Sequence, residues 1–429
     1  MFKFKKSALI LTSALLLGLA GCSTADNGSS SSKSKSGDKT VVDIFQFKVE
    51  FKNQFEVLAS QYEEANPNVD INIETVGGGN DYAGALKAKF SSGNEPAIFN
   101  IGGPADIDEY RDRLTDVGAT KAADAALAGT LDAITVDGKV YGLPYNQEGY
   151  GFVYNKQVFE KAGVDAAAIH SIEDLTAAVE KIDSQKEALG LEAVFAMAGK
   201  EKWTEGQHGV NAFVATDFNN SALEAFNAKE LAFTKADQFK KHIDLQNKYS
   251  VQPVVSLDYS KQVEELFSTG RVAMIQQGNW VYPTVEQMDP VLAENIGLMP
   301  IPVDGEMKMP VGVPNYWAVN GKVSEEQQEA AKAFLDWMYT SDEGKEAVLT
   351  QFKFIPAYSD YDTSKITDPL SKTVYEYAQA GNTTGWTFKG FPTGWTDLMG
   401  ADLQKYLAGE ATWEEAITSS KGKWAELRK

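Results

Sequence analysis

Two hydrophobic periods alternate along this chain. Residues 41–45 form a short β-rich run, and Phe51, Phe55, Leu58, Ala59 and Tyr62 then recur at helical spacing until Pro67 closes the segment. Val69, Ile71 and Ile73 alternate with polar residues and predict a second strand. The glycines at 77–79 with Asn80 predict a turn, and Tyr82, Leu86 and Phe90 share one helical face. Residues 97–101 predict a third strand, ended by Gly102, Gly103 and Pro104. Strand–helix–strand–helix–strand implies a parallel sheet with right-handed crossovers. Ligands of such sheets sit beyond the carboxyl ends of the strands, which directs attention to residues 46–50 and 100–103. The triple glycine lacks the Gly-Lys-Ser/Thr ending of a phosphate loop, so a turn is the better reading.

Residues 140–159, VYGLPYNQEGYGFVYNKQVF, divide the chain into two halves. Gly142, Gly149 and Gly151 permit unusual backbone angles, and Pro144 pushes Leu143 towards an extended conformation. The alternating large side chains of 149–154 suit a strand, and Asn155 suits the cap of a short helix. The stretch predicts a crossover with Tyr145, Asn146, Gln147 and Glu148 close to a cleft. An ordinary strand–turn–strand within one domain has the same composition. Later, 173–182 predicts a helix of the second half, and 201–220 is a polar, Gly-containing run with Trp203 and His208. That run is a loop facing the cleft, or Trp203 belongs to a core. Residues 272–275 predict an apolar strand leading to Gly278, Asn279 and Trp280. Residues 311–320 predict a strand returning to the first half, with Asn315, Tyr316 and Trp317 near the hinge, and 352–356 crosses again. Phe334, Leu335 and Trp337 lie on an amphipathic helix as core residues. Residues 381–395, GNTTGWTFKGFPTGW, place Trp386, Phe388, Phe391 and Trp395 among glycines, where large aromatics either anchor a loop or are offered to a ligand. Trp413 and Trp424 are expected to fix the C-terminal helices.

The amino terminus adds a location. Lys3, Lys5 and Lys6 precede an apolar stretch, 8–17, too short to span a bilayer, and small residues lead directly to Cys22. Residues 1–21 therefore read as a signal peptide, and 22–39 as a flexible Ser/Gly/Lys-rich tether. Cys22 is the only cysteine, so no internal disulfide forms. The formal charge is −20, and removing three lysines with residues 1–21 takes it to −23. Such acidity argues against nucleic acid and against lying flat on anionic lipid.

The string YGLPYNQEGYGFVYNKQVFEKAGV resembles the crossover signature of family 1 extracellular solute-binding proteins, the capture components of ATP-binding-cassette sugar importers. The lipoprotein-like amino terminus, FSTGRVAMIQQGNW at 267–280, IGLMPIPV at 296–303 and AAKAFLDWMYTSDEGKEAV at 330–348 agree with it in order. The resemblance implies an α/β, two-lobed periplasmic-binding-protein-like fold. Each lobe would be a mainly parallel sheet flanked by helices, with several crossovers at the hinge. The first lobe would comprise 40–147 plus about 311–354, and the second 148–310 plus about 355–429. It further implies lipidation of Cys22, anchoring to the outer face of the cell membrane, permease partners, a monomer, no cofactor and no enzymatic activity. Relatives often carry Pro-Asp-Val before the third strand, where this chain has Pro96, Ala97 and Ile98. The Trp common near the start of the later helix is replaced by Ser171 and Ile172.

A sugar presents apolar C–H faces that pack on aromatic rings and hydroxyls that need donors and acceptors of fixed geometry. Trp203, Trp280, Trp317, Trp386 and Tyr145 are accordingly candidates for stacking. Lys48, Glu50, Asn146, Asn279, Asn315 and Asp397 are candidates for hydroxyl contacts. Several aromatics in the late loop suggest a short oligosaccharide; within the family the chain resembles proteins for raffinose-like or isomaltose-like α-linked sugars, with maltooligosaccharides or β-linked oligomers as alternatives. A secreted glycoside hydrolase would need two carboxylates at a set separation, and 60 Asp and Glu always allow some pair to be named. His170, His208 and His242 have no metal-ligand spacing. A surface glycan adhesin is the remaining alternative, distinguished by binding without lobe closure.

Overall fold

The computed structural model describes residues 39–76 and 82–429, without the side chain of Glu50. The expected signal peptide, Cys22, the tether and the turn at 77–80 lie outside the described residues. Lys52–Ala65 is a helix that buries Phe55, Leu58, Ala59 and Tyr62, the face that the apolar spacing predicted. Helix Tyr82–Ser92 buries Leu86. Before, between and after these helices run the strands Thr40–Gln46, Val69–Thr75 and Ile98–Ile101, mutually parallel with Thr40–Gln46 in the middle. Two later segments complete this sheet. Tyr316–Val319 pairs antiparallel with Ile98–Ile101, and Leu143–Pro144 lies at the edge beyond it. Pro104 opens the helix Pro104–Tyr110 straight after Gly103, where its missing N–H costs nothing.

The second sheet has the order Thr383–Thr384, Met309–Gly312, Glu148–Asn155, Val272–Gly278, Ala193–Phe195, with Ile296–Met299 also on Glu148–Asn155. It departs from the parallel arrangement expected for each lobe. Glu148–Asn155 runs antiparallel to three neighbours, and only the flanking pairs are parallel. The physical reason lies in how the strand arrives. It enters from a crossover and not through a strand–helix–strand unit, so the return helix that enforces parallel order is missing. Gly151 permits close packing here, since a Cβ would lie 2.1 Å from the Met299 carbonyl oxygen. The helix Ile172–Asp183 begins with a reciprocal capping box of Ser171 and Asp174.

Each sheet has its own apolar core. Phe55, Tyr145, Trp317 and Tyr339 belong to one, and Phe152, Phe195, Phe239 and Ile275 to the other. The chain passes from the first sheet to the second through 145–147 and back through 313–315. These passages are tied together by the Tyr145 N–H, which donates to the Asn315 carbonyl at 2.9 Å, while the Gln147 N–H donates to the carbonyl of Ile355, on a later segment, at 2.8 Å. Phe354, Ala357 and Tyr358 pack in the first core, while Ile366 and Leu370 pack in the second. Among the described residues, no helix is long and apolar enough to cross a membrane.

Candidate functional site

A cleft of about 880 Å³ opens between the two sheets. The first lobe contributes Phe47 and Lys48, just past the carboxyl end of Thr40–Gln46, and the returning passage contributes Pro314 and Asn315. The second lobe contributes Trp203, Trp280, Trp386 and Phe388, with His208 among them.

His208 is the hub of this wall. Its ring stacks on Tyr150 at 4.5 Å with an interplanar angle of 16°. Trp203 meets it edge-on at 5.3 Å, and the rings of Trp280, Trp386 and Phe388 lie at 5.2, 5.8 and 5.3 Å. Burial, with the charges of Lys389 and Lys48 acting the same way, pushes the His208 pKa down from 6.5 to about 3. The imidazole is therefore neutral near neutral pH and acts as one more aromatic ring. It rides on a π-helical turn, Thr204–Gly209, which also carries Gln207 into the cleft.

The floor is polar. Lys48 Nζ donates to Glu148 Oε1 at 2.5 Å, and both side chains are buried. This pair joins the end of one sheet's strand to the beginning of the other's, and each charge makes burial of its partner tolerable. Lys389, half-buried beside Trp386 and Phe388, donates to the Pro314 carbonyl. Burial lowers its pKa to about 8, opposed by the charges of Asp106 and Glu148. Trp280 donates through Nε1 to Gln277 Oε1 at 2.9 Å, whereas the buried Trp386 Nε1 has no partner. Such a surface offers flat apolar faces above a set of fixed donors and acceptors. Among the described residues, no three of His, Cys, Asp or Glu converge as a metal site.

Of the residues singled out by sequence, the structure brings Lys48, Trp203, Trp280, Asn315 and Trp386 together along this cleft. Asn146 and Asn279 line a small void beside it. Asn279 is already committed: it accepts from the Gly149 N–H at 3.0 Å and donates to Ser371 Oγ at 3.1 Å. Tyr145 and Trp317 are not cleft residues, a correction to the expectation that they stack on a ligand. They stack on each other at 4.5 Å in the first core, and Trp317 Nε1 donates to the Tyr339 hydroxyl at 2.7 Å. Strand pleating turns Trp317 to the face covered by Phe55, away from the cleft. Asp397 is also removed from the cleft, since it is exposed in the first turn of helix Trp395–Leu407. Of Glu50 only the backbone is described, in the turn Val49–Phe51. Sequence reasoning placed Phe47, His208 and Phe388 in segments expected near the cleft but named neither them nor Lys389 as lining groups. The available signal was the aromatic, glycine-rich segment for the last two, while nothing local marked His208 as a hub.

Comparison with known proteins places the chain among binding proteins. The family described as bacterial extracellular solute-binding protein matches residues 48–345. The melibiose/raffinose/stachyose-binding protein MelE of Bacillus subtilis is 23% identical over 344 residues, covering 78% of this chain and 77% of that protein. A chitin oligosaccharide binding protein of known structure superposes with a TM-score of 0.77 at 23% identity, over 91% of this chain and all (100%) of that one. The solute-binding protein RafE in complex with raffinose gives 0.74 at 18% identity, with 91% and 100% covered.

Proposed function

Because the chain belongs to the bacterial extracellular solute-binding proteins, we propose that it captures short oligosaccharides and passes them to the permease of an ATP-binding-cassette importer. The ligands proposed are α-linked sugars, raffinose-like or isomaltose-like. The observation that carries this reading is the aromatic wall around a neutral His208, facing a buried Lys48–Glu148 pair across the same cleft. Aromatic faces accept the C–H surfaces of pyranose rings, and the charged pair, Asn315 and Lys389 offer fixed partners to hydroxyls. A cleft of about 880 Å³ is at the large end of the ~300–1,000 Å³ usual for small-molecule sites, which suits more than one sugar ring. MelE is named for melibiose, raffinose and stachyose, and RafE was solved with raffinose, which supports a raffinose-like ligand.

Capture proceeds by closure. Groups from both lobes bind one ligand, and a ligand that contacts both shifts the hinge towards the closed form. The passages 145–147 and 313–315 bend to allow it. No covalent step is involved. The segment ending at Cys22 supports lipid anchoring outside the cytoplasmic membrane.

Tryptophan fluorescence and calorimetry with raffinose, stachyose, isomaltotriose, maltotriose and chitotriose test the reading. Saturable binding of raffinose or isomaltotriose in preference to the others is expected. Preference for chitotriose would replace the ligand class and keep the capture mechanism. Silence towards every sugar, with release of none, would end the proposal.

A further inference from the structure

Beneath the aromatic wall lies a buried polar cluster that does not face the cleft. Glu205, His242, Gln246 and Gln276 are at most 5% exposed, within the core of the second lobe. The His242 ring is flanked by Phe152, Phe213 and Phe239 at 5.5, 5.4 and 6.2 Å. Gln246 Nε2 donates to Glu205 Oε1 at 3.0 Å and to Gln276 Oε1 at 3.1 Å. His242 Nε2 lies 2.7 Å from Gln276 Oε1, and Gln276 Nε2 donates to the Thr204 carbonyl at 3.1 Å. Glu205 Oε2 stands 3.6 Å from His242 Nε2, and both it and His242 Nδ1 lack hydrogen-bond partners.

Three elements meet in this cluster. Helix Ala236–Lys248 supplies His242 and Gln246, strand Val272–Gly278 supplies Gln276, and the π-helical turn Thr204–Gly209 supplies Glu205. Two of the three continue directly into the ligand wall. The strand leads to Asn279 and Trp280, and the turn presents Gln207 and His208 to the cleft while Glu205 points into the core. A π turn has poor intrinsic stability and must be held from outside. This one has little slack. A Cβ on Gly206 would lie 2.7 Å from the Gly400 backbone nitrogen, and one on Gly209 would lie 2.0 Å from Glu205 Oε2. An incompletely satisfied polar cluster is a costly filling for a core, and apolar side chains of similar volume would be more stabilising. What it adds is orientation, because hydrogen bonds have direction and apolar contacts do not.

We infer that Glu205 is a positioning residue for the cleft. Through Gln246, and with Gln276 gripping the Thr204 carbonyl, it holds the π turn so that His208 stacks on Tyr150 within reach of Trp280. The inference rests on reading the cleft as the ligand site, yet its first consequence concerns the ligand-free protein. The chain has three histidines, so the imidazole carbon–proton resonances are few and assignable. In the full mature chain, Glu205→Leu is expected to shift the His208 resonances without ligand and to weaken raffinose binding on the order of tenfold, the loss of about one buried hydrogen bond. Glu205→Gln is expected to restore both, since its amide oxygen still accepts from Gln246. Should Glu205→Leu fail to fold, Gln246→Met removes the bond to Glu205, together with that to Gln276, from a helix outside the cleft, and the same two readouts apply. A folded Glu205→Leu or Gln246→Met protein that melts earlier but keeps wild-type His208 resonances and affinity would overturn the inference. Shifted His208 resonances in a chain whose wild type binds no sugar would uphold the positioning role and refute the ligand reading instead.

Discussion

Acidification from about pH 7 to about pH 5 protonates an ordinary histidine but leaves His208 neutral, because burial and the nearby Lys389 and Lys48 take its pKa from 6.5 to about 3. The sign follows from which state takes up the proton. Above 6.5 neither the folded nor the unfolded chain is protonated at this residue, and it contributes no pH dependence. Below 6.5 the unfolded chain gains the proton and the folded chain does not, so stability falls by about 1.4 kcal/mol per pH unit until about pH 3. At about pH 5 the loss is about 2 kcal/mol. Denaturant unfolding of the wild type and of His208→Gln across this range measures it. The variant loses stacking on Tyr150 at every pH, but the gap between the two proteins should narrow by about 2 kcal/mol on acidification. Asp368, raised to about 6 by burial, and Lys389 titrate in both proteins and largely cancel in the comparison. Parallel stability profiles would show that His208 titrates normally, and the picture of a neutral ring at the centre of the wall would be lost.

Other substitutions separate site from scaffold. Trp280→Ala should weaken sugar binding at least ~10-fold in calorimetry while the fold persists, whereas Trp317→Ala should cost ~3–5 kcal/mol of stability on chemical unfolding as a core cavity opens. Glu148→Leu leaves Lys48 buried without its partner, so a stability loss of ~3–5 kcal/mol is expected, and a melt like the wild type's would argue that the pair is solvated in solution. Asp368→Asn should remove a component of stability that rises as pH falls from about 6 towards 3.8, because the folded chain there holds the proton more tightly than the unfolded one. Asp397→Ala, at an exposed helix start, should leave affinity unchanged, and a marked loss would return that residue to the site.

The sequence by itself determined what depends on near neighbours. The spacing of Phe55, Leu58, Ala59 and Tyr62 specifies which face of a helix is apolar, and alternation at Val69, Ile71 and Ile73 specifies a strand, because both periods are set within a few residues. Gly142, Pro144, Gly149 and Gly151 marked where the backbone is freed or restricted for the same reason, but their composition fits a strand–turn–strand within one domain as well as a crossover. Tertiary structure decided the rest. Trp280 and Trp317 are the same residue type, and only the turn after one strand and the pleat of another send one to the cleft and the other into the core. The direction of Glu148–Asn155 within its sheet depended on segments more than a hundred residues away that supply its partners. His208 became an aromatic hub because Tyr150, Trp280 and Trp386, distant along the chain, desolvate it together, and desolvation is a property of the assembled neighbourhood that no local stretch of residues contains.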